Sequence, residues 1–190
     1  MKMLKEVEAY WTRRAESYSD VVCHELNHSN EKSWMEVILK EIPEDKKIKI
    51  ADMGTGPGFF AISLAKRGYD VTAVDYTQEM LNHAMQNAGT YASRITWMRG
   101  DVQNLENIQD GSFDVIVTRN LTWNLEYPEQ ALEEWERVLA PGGRMIYFDA
   151  NWYLYLYDEE LRARKKAAEA AFRAKYPVHN YAGNMSKARV

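Results

Sequence analysis

The fold is decided by residues 48–65, which read Ile48-Lys49-Ile50-Ala51-Asp52-Met53-Gly54-Thr55-Gly56-Pro57-Gly58-Phe59-Phe60-Ala61-Ile62-Ser63-Leu64-Ala65. The apolar residues at its start predict a short buried strand, and those at its end predict a helix with one face against a sheet. Gly54, Gly56 and Gly58 allow positive φ angles and let a ligand approach the backbone. The strand, turn and helix therefore direct backbone N–H groups and a helix N-terminus toward a bound ligand.

Two acidic residues mark the ends of the first two predicted strands. Asp52 closes the first strand, and Asp75 follows a second strand over residues 70–74. An acid in the latter position can accept hydrogen bonds from both hydroxyls of a ribose. A tight turn without any ligand is the alternative for a lone glycine-rich turn, but the two acids favour a nucleoside-containing ligand.

Composition and charge narrow the class of protein. The chain has 190 residues, enough for one domain with a hydrophobic core, and its net charge of −4 predicts no nucleic-acid partner. It has neither an apolar signal-peptide core nor an apolar run of membrane-spanning length, so we expect no membrane partner. Its single cysteine, Cys23, excludes internal disulfides and fits a reducing compartment, which predicts a cytoplasmic protein.

The rest of the chain alternates strands with helices. Further strands are predicted over residues 95–98, 113–118 and 145–148, and helices over residues 3–18, 31–42, 77–88, 128–139 and 159–175. Val37 and Leu132 are predicted to face the core, and residues 140–143 to form a turn. This order predicts an α/β fold with three αβα layers, a Rossmann-like doubly wound parallel sheet. We expect an N-terminal helical lid (residues 1–46), a ligand-binding core (residues 47–151) and an aromatic and basic helical tail (residues 152–190) on the substrate side.

One motif points to a different chemistry. His24-Glu25-Leu26-Asn27-His28 matches H-E-x-x-H, the signature of zinc metalloproteases. That chemistry needs the motif on a core helix together with a third ligand. Here the motif falls between two predicted helices, in what we expect to be a polar loop, and the other histidines, His83 and His179, are far away in sequence. We therefore interpret the match as coincidental and assign no metal ligand.

Several motifs, in order, resemble the class I S-adenosylmethionine-dependent methyltransferases over about residues 48–149. The turn has G-x-G-x-G spacing beside Asp52, and a carboxylate there suits a cationic ligand better than a pyrophosphate. Gly100-Asp101-Val102 resembles the family's adenine-binding turn, Arg119-Asn120-Leu121 lies at the position of its motif IV, and Leu139-Ala140-Pro141-Gly142-Gly143 resembles the approach to its fifth strand. The resemblance implies strand order 3-2-1-4-5, S-adenosylmethionine as cofactor, and methyl transfer to a small-molecule acceptor by in-line displacement.

By the same resemblance, the cofactor would be bound by residues of the lid, the turn and the strand ends. These are Tyr18, Asp52, Gly54, Thr55, Gly56, Gly58, Asp75, Tyr76, Met80, Asp101, Val102, Asn120 and Leu121. Asp75 would hold the ribose, Asp101 and Val102 the adenine edge, and Asp52 would order the turn or meet the ammonium. The acceptor would lie near Trp123, Asn151, Trp152 and Tyr153. No catalytic acid or base is assigned.

The family normally has a sixth strand and an antiparallel seventh strand beside strand five. No segment after residue 148 has the pattern of either strand. The chain is then a minimal version of the fold or a piece of a longer protein, and the uncovered edge favours the second interpretation. We expect the outer edge of strand five to be covered by the tail or by a second copy of the chain, which would make a homodimer.

Two other functions remain as hypotheses. A domain that binds the cofactor without catalysis, such as a sensor or a subunit, would bind S-adenosylmethionine and release no product. A nicotinamide-dependent dehydrogenase would share the strand–turn–helix unit, but the glycine spacing and Asp52 argue against it.

Overall fold

The computed structural model describes residues 2–150 and 154–175. The chain divides into two compact units, Met1–Asp149 and Ala150–Val190. None of the helices within the described ranges is both long and apolar enough to cross a lipid bilayer.

The first unit is built on one parallel sheet of five strands in the order β3-β2-β1-β4-β5. The strands are β1 (Lys49–Met53), β2 (Asp70–Asp75), β3 (Ile95–Arg99), β4 (Phe113–Arg119) and β5 (Leu139–Phe148). The helices are α1 (Lys2–Leu26), α2 (Ser29–Glu41), α3 (Phe59–Lys66), α4 (Gln78–Ala88) and α5 (Pro128–Val138). Short 3-10 segments lie after α4, at Gly89–Arg94, and after β4, at Thr122–Asn124. The predicted fold class and strand order are confirmed.

β1 lies at the centre of the sheet because it is apolar on both faces. Ile50, Ala51 and Met53 are fully buried, as expected for a strand covered by helices on both sides. Asp52 is paired in register with Ala73 of β2 and Val117 of β4. The carboxyl ends of these three strands therefore meet at one edge of the sheet, where ligands bind in open α/β folds.

Two hydrophobic clusters cover the two faces of the sheet. One cluster joins α2, α3 and the end of α1 to the sheet through buried side chains that include Val22, Met35, Ile38, Phe60, Ile62 and Leu64. The other packs α5 and the loop after β3 on the opposite face, and it includes Met53, Val102, Leu105, Ala131, Trp135 and Val138. Helices on both faces give the three predicted layers.

α1 is longer than the sequence predicted. We expected a helix over residues 3–18 followed by a loop, but α1 continues without a break to Leu26. The reason is a buried stripe at helical spacing, Ala15, Ser19 and Val22, on a helix that packs against α4, α2 and α3. The H-E-x-x-H match therefore begins in the last turn of this helix, and the loop predicted there was wrong.

β5 begins earlier than predicted. We expected a turn over residues 140–143, whereas β5 runs from Leu139 and includes that segment. The register with β4 shifts between Phe113 and Val115, which is where the glycines are accommodated. A Cβ added at Gly143 would lie 2.9 Å from the Asp114 carbonyl oxygen, so close approach of the backbones requires this glycine.

Two helix residues predicted to face the core are exposed. Val37 on α2 is 47% exposed and Leu132 on α5 is 45% exposed. The buried positions of α2 are Met35 and Ile38, and they are followed by the buried C-cap residue Ile42. This three- and four-residue spacing leaves Val37 outside the stripe. The sequence predicted the two helices correctly, but the prediction that Val37 and Leu132 face the core was wrong.

β5 forms one edge of the sheet. Within the described ranges it pairs only with β4, and none of its residues is fully buried. Tyr147 is 60% exposed on this strand. The expectation that the tail or a second copy covers this edge stays a prediction.

In the second unit, a 3-10 turn at Leu154–Leu156 leads into α6 (Glu159–Lys175). Asp158 caps the helix, because its carboxylate accepts a hydrogen bond from the Leu161 backbone N–H at 2.9 Å. The Arg162 guanidinium donates to the carbonyls of Tyr155 and Leu156, and the Lys165 ammonium lies over the Tyr155 ring. The unit is thus ordered by contacts between the turn and the first turns of the helix.

Replacement of Trp135 tests the packing that supports the loop after β3. Trp135 is fully buried, and its Nε1–H donates to the Val102 carbonyl at 2.9 Å. We expect Trp135→Phe to lower the free energy of unfolding by about 2–4 kcal/mol, because it leaves a cavity and an unsatisfied carbonyl. Chemical denaturation would measure this. Leu132→Ala on the exposed side of α5 is the control, and an equal loss in both variants would contradict the assignment.

Candidate functional site

The glycine turn lies over the carboxyl end of β1, and its conformation requires glycine. Gly54, Gly56 and Gly58 all have positive φ angles, between 53° and 92°. A Cβ added at Gly54 would lie 2.6 Å from a methyl carbon of Leu121, so the loop after β4 packs directly on the turn. The Thr55 N–H donates to the Val74 carbonyl at 2.9 Å, which fixes the turn to the end of β2.

Asp52 ties the turn to the helix that follows it. Its buried Oδ2 accepts hydrogen bonds from the Thr55 hydroxyl at 2.7 Å and from the Ala61 N–H at 2.9 Å. Burial raises the pKa of Asp52 to about 6, although these hydrogen bonds and the positive charge of Arg119 act in the opposite direction. Of the two roles expected for Asp52, these contacts correspond to the ordering of the turn.

Asp75 lies at the end of β2 with each carboxylate oxygen held by a backbone donor. Oδ2 accepts from the Gly56 N–H and Oδ1 from the Thr77 N–H, both at 2.8 Å. Burial raises the pKa of Asp75 to about 6, and the same hydrogen bonds limit the shift. The Thr77 hydroxyl is a further donor to this carboxylate. Because a carboxylate has about four acceptor sites, acceptor capacity remains for a hydroxyl donor of a ligand. The acid is thereby fixed in position beside the turn.

The loop after β3 presents a third acid. Oδ1 of Asp101 accepts from the backbone N–H of Gln103 at 2.9 Å and from its side-chain amide at 3.0 Å. No hydrogen bond to Oδ2 is found within the described part of the chain, so this oxygen can accept from an exocyclic amine. Gln103 is buried and its Oε1 accepts from the Tyr127 N–H. The loop is therefore held rigidly against the start of α5.

The segment after β4 completes the floor of the site. Asn120 has a φ of 57°, the only positive φ outside glycine among the described residues. Its N–H donates to the Phe148 carbonyl at 2.8 Å, so this donor is used by the residue that ends β5. Thr122 bonds to Asp149 through both its N–H and its hydroxyl, so the loop is tied to the end of β5.

α1 places aromatic side chains over this floor. The Tyr18 ring lies 3.6 Å from where a Cβ of Gly56 would be, so this ring covers the turn. The Trp11 ring lies 5.5 Å from Tyr18 and 6.2 Å from Trp123, between ring centroids. We call Trp11, Tyr18 and Trp123 the lid cluster. Trp11 also donates from Nε1 to the Asn124 side chain at 3.4 Å, a contact that the sequence did not reveal.

Some residues expected at the site have clear structural contacts of their own. A Cβ at Gly58 would lie 2.9 Å from Ile62 and 3.1 Å from Ala84, so Gly58 lets α3 and α4 pack closely. Met80 is buried on α4, and the Tyr76 carbonyl accepts from Arg99 at 3.2 Å. The expected acceptor residues Asn151, Trp152 and Tyr153 lie outside the described residues.

The residues of the H-E-x-x-H match have other partners. Glu25 forms an ion pair with Arg119 at 2.8 Å, and the guanidinium lies over the Phe59 ring at 4.3 Å from its centroid. The His24 and His28 rings are stacked, with centroids 3.8 Å apart. Within residues 2–150 and 154–175 there is no group of three His, Cys, Asp or Glu side chains placed to hold a metal ion.

Comparison with known proteins identifies the family. The family described as a methyltransferase domain matches residues 51–147, just over half of the chain. The chain is 31% identical over 132 residues to a demethylmenaquinone methyltransferase of Deinococcus radiodurans, an alignment that covers 68% of this chain and 54% of that protein. The chain thus spans about half the length of curated relatives that it matches.

Solved structures are similar to this chain in fold. A structure from Methanococcus maripaludis superposes with a TM-score of 0.62 at 23% identity, covering 87% of this chain and 72% of that one, and it supports the fold. A phosphoethanolamine N-methyltransferase of Haemonchus contortus, solved with phosphomonomethylethanolamine and S-adenosylhomocysteine, has a TM-score of 0.55 at 25% identity. The alignment covers 60% of this chain and 27% of that one.

The matched residues contain the glycine turn and the three strand-end acids, in the order that the sequence motifs predicted. The resemblance seen in the sequence is thereby confirmed, and S-adenosylmethionine is the cofactor that goes with it. The chain belongs to the methyltransferase domain family, within the class I S-adenosylmethionine-dependent methyltransferases.

Proposed function

We propose that this chain binds S-adenosylmethionine at the carboxyl edge of its sheet and transfers the methyl group to a small-molecule acceptor beneath the lid cluster. The observation that carries the proposal is the convergence of Asp75, Asp101 and the glycine turn at one edge, under the Tyr18 ring. Bound there, the cofactor supplies a methyl group on a positively charged sulfur, which is open to in-line displacement.

The strand-end acids fit the nucleoside half of this cofactor. Asp75 keeps acceptor capacity for ribose hydroxyl donors, and its position is fixed by two backbone donors. Oδ2 of Asp101 and the backbone N–H of Val102 would pair with the adenine edge. The side chains of Tyr76 and Met80, on the loop after β2 and the first turn of α4, would pack against the base.

The turn fits the methionine half. Gly56 leaves the backbone bare beneath the Tyr18 ring, where the chain of the amino acid would pass. The Asn120 carbonyl can accept a hydrogen bond from the ammonium of the cofactor. The negative charge of the buried Asp52 carboxylate would attract the same ammonium. Leu121 and Thr55 complete the walls on either side of the turn.

The lid cluster fits an uncharged or cationic small acceptor. Aromatic faces exclude water and favour positive charge, so Trp11, Tyr18 and Trp123 would hold the acceptor against the methyl group and protect the sulfonium. Positioning then supplies much of the rate, and no general base is assigned. The relatives named above act, by their names, on demethylmenaquinone and on phosphoethanolamine, both small molecules.

The test is a titration with S-adenosylhomocysteine followed by a screen of small-molecule acceptors with methyl-labelled S-adenosylmethionine. We expect binding, and transfer of label to at least one acceptor. Binding without transfer to any acceptor would favour a cofactor-binding domain without catalysis, and absence of binding would contradict the proposal. A nicotinamide cofactor serves as the control ligand, and we expect it not to bind.

Removal of the Asp75 carboxylate tests the ribose contact. We expect Asp75→Ala to weaken S-adenosylhomocysteine binding by about 2 kcal/mol or more, since charge-assisted hydrogen bonds are lost. Isothermal titration would measure it. The matched control is Asp70→Ala at the opposite, exposed end of the same strand, which should bind as the unaltered chain does. Equal affinities in all three proteins would rule out the ribose assignment.

The raised pKa of Asp75 predicts a dependence on pH. The carboxyl titrates at about 6 in the ligand-free protein, so it becomes protonated as the pH falls below 6 and then accepts ribose hydroxyls poorly. We expect affinity for S-adenosylhomocysteine to fall from pH 7 to pH 5. Binding at pH 6 should release protons, because hydroxyl donors favour the charged form.

Titration heats in two buffers of different ionisation enthalpy would report the proton release. Asp52 has a similarly raised pKa, so Asp75→Asn is needed to assign the effect. This variant should lose the greater part of the release, and release that is unchanged in Asp75→Asn would assign the titration to another group.

A further inference from the structure

Asn87 on α4 joins α1 to the glycine turn, and neither the sequence motifs nor the proposed function assigns it a role. Its Nδ2 donates to the Ser19 hydroxyl at 3.0 Å and to the Pro57 carbonyl at 3.1 Å. Its Oδ1 accepts from the Cys23 thiol at 3.0 Å and lies 3.3 Å from the Ser19 hydroxyl. The Asn87 amide therefore contacts two successive turns of α1 and the middle of the glycine turn.

The orientation of this amide is determined by its neighbours. A carbonyl oxygen can only accept a hydrogen bond, so the side-chain atom facing Pro57 must be the nitrogen. The oxygen then faces Cys23, whose thiol is able to donate. Both donors and the acceptor oxygen of Asn87 are satisfied in this arrangement, which no other amino acid of similar size reproduces: aspartate would place an oxygen against the Pro57 carbonyl.

Both ends of this connection lie next to parts of the candidate site. Pro57 separates Gly56, whose N–H is held by Asp75, from Gly58, which packs on α4. Ser19 directly follows Tyr18, the residue whose ring covers Gly56. Because Ser19 and Cys23 are four residues apart, they lie on one face of α1, and their contacts with Asn87 fix the rotation of the helix that aims Tyr18 at the turn.

We propose that Asn87 is a positioning residue that couples α1 to the glycine turn. Through this coupling, Tyr18 on α1 and Gly56 in the turn keep a fixed position relative to each other. The hydrogen bonds of Asn87 go to α1 and to Pro57, so it acts through these residues. The effect of Asn87 on the cofactor therefore depends on Tyr18. This inference rests on the proposed function for its effect on binding, but not for its effect on α1.

The first experiment needs no ligand. Hydrogen exchange of α1 amides over residues 15–26 is compared in the unaltered protein, in Asn87→Ala and in Gln86→Ala, an exposed neighbour on the same helix. We expect at least ten-fold faster exchange in Asn87→Ala alone, with the amides of β1 unchanged. Equal exchange in all three proteins would overturn the coupling, whatever the cofactor proves to be.

The second experiment is a double-mutant cycle with Tyr18→Ala, read by titration with S-adenosylhomocysteine. Asn87→Ala alone should weaken binding about ten-fold, the order expected from loss of partly buried hydrogen bonds. In the Tyr18→Ala background the same change should have less than a two-fold effect. A ten-fold effect in both backgrounds would show that Asn87 acts independently of the lid and would overturn the inference.

A third variant keeps the test decisive if Asn87→Ala does not fold. The double substitution of Ser19→Ala and Cys23→Ala removes the same connection from the side of α1 and leaves the bond to Pro57 intact. It should reproduce the faster exchange of α1 and the dependence on Tyr18. If it exchanges and binds as the unaltered protein does, the connection has no role. Failure of all proteins to bind S-adenosylhomocysteine would instead contradict the proposed function, while the exchange result would still stand.

Discussion

The site depends on one buried carboxylate, that of Asp52. Its Oδ2 joins three consecutive parts of the chain, because Asp52 lies on β1, Thr55 belongs to the turn and Ala61 lies in the first turn of α3. A buried charge without hydrogen bonds would cost several kcal/mol, so the turn must keep the shape that supplies these donors. The remaining contacts of the turn, to Val74, Leu121 and Asp75, are built on that shape.

The raised pKa values of Asp52 and Asp75 indicate that keeping these two carboxylates charged in the ligand-free protein lowers its stability. For each acid, burial opposes the charged form more strongly than the local hydrogen bonds favour it. Since the pKa of both groups in the unfolded chain is lower, their ionisation destabilises the fold as the pH rises from about 4 to about 6. Donors and positive charge brought by a ligand relieve that cost, so the same acids that weaken the empty fold strengthen binding.

The sequence predicted the features that are encoded locally. Strands and helices follow from apolar periodicity, and the three strand-end acids follow from their places after strands. The hydrogen bonds and ion pairs of α1 were not predictable, because they join residues far apart in the sequence. Ser19 and Asn87 are separated by 68 positions, and Glu25 and Arg119 by 94. The polar end of α1 has the sequence of a loop because the ion-pair partner of Glu25 lies on β4. The first residues of β5 have the sequence of a turn because they contain the bulge.

Polar contacts along its length hold α1 in place over the carboxyl end of the sheet. Glu8 pairs with Arg99 at the end of β3, Ser19 contacts Asn87 on α4, and Glu25 pairs with Arg119 at the end of β4. From Glu8 to Glu25 the helix rises about 25 Å, so it crosses the carboxyl ends of several strands. The Glu8 pair is exposed and adds little stability, whereas Arg119 is 11% exposed and packed on aromatic rings. The half of α1 that carries Ser19 and Glu25 is therefore held more firmly than the half that carries Glu8.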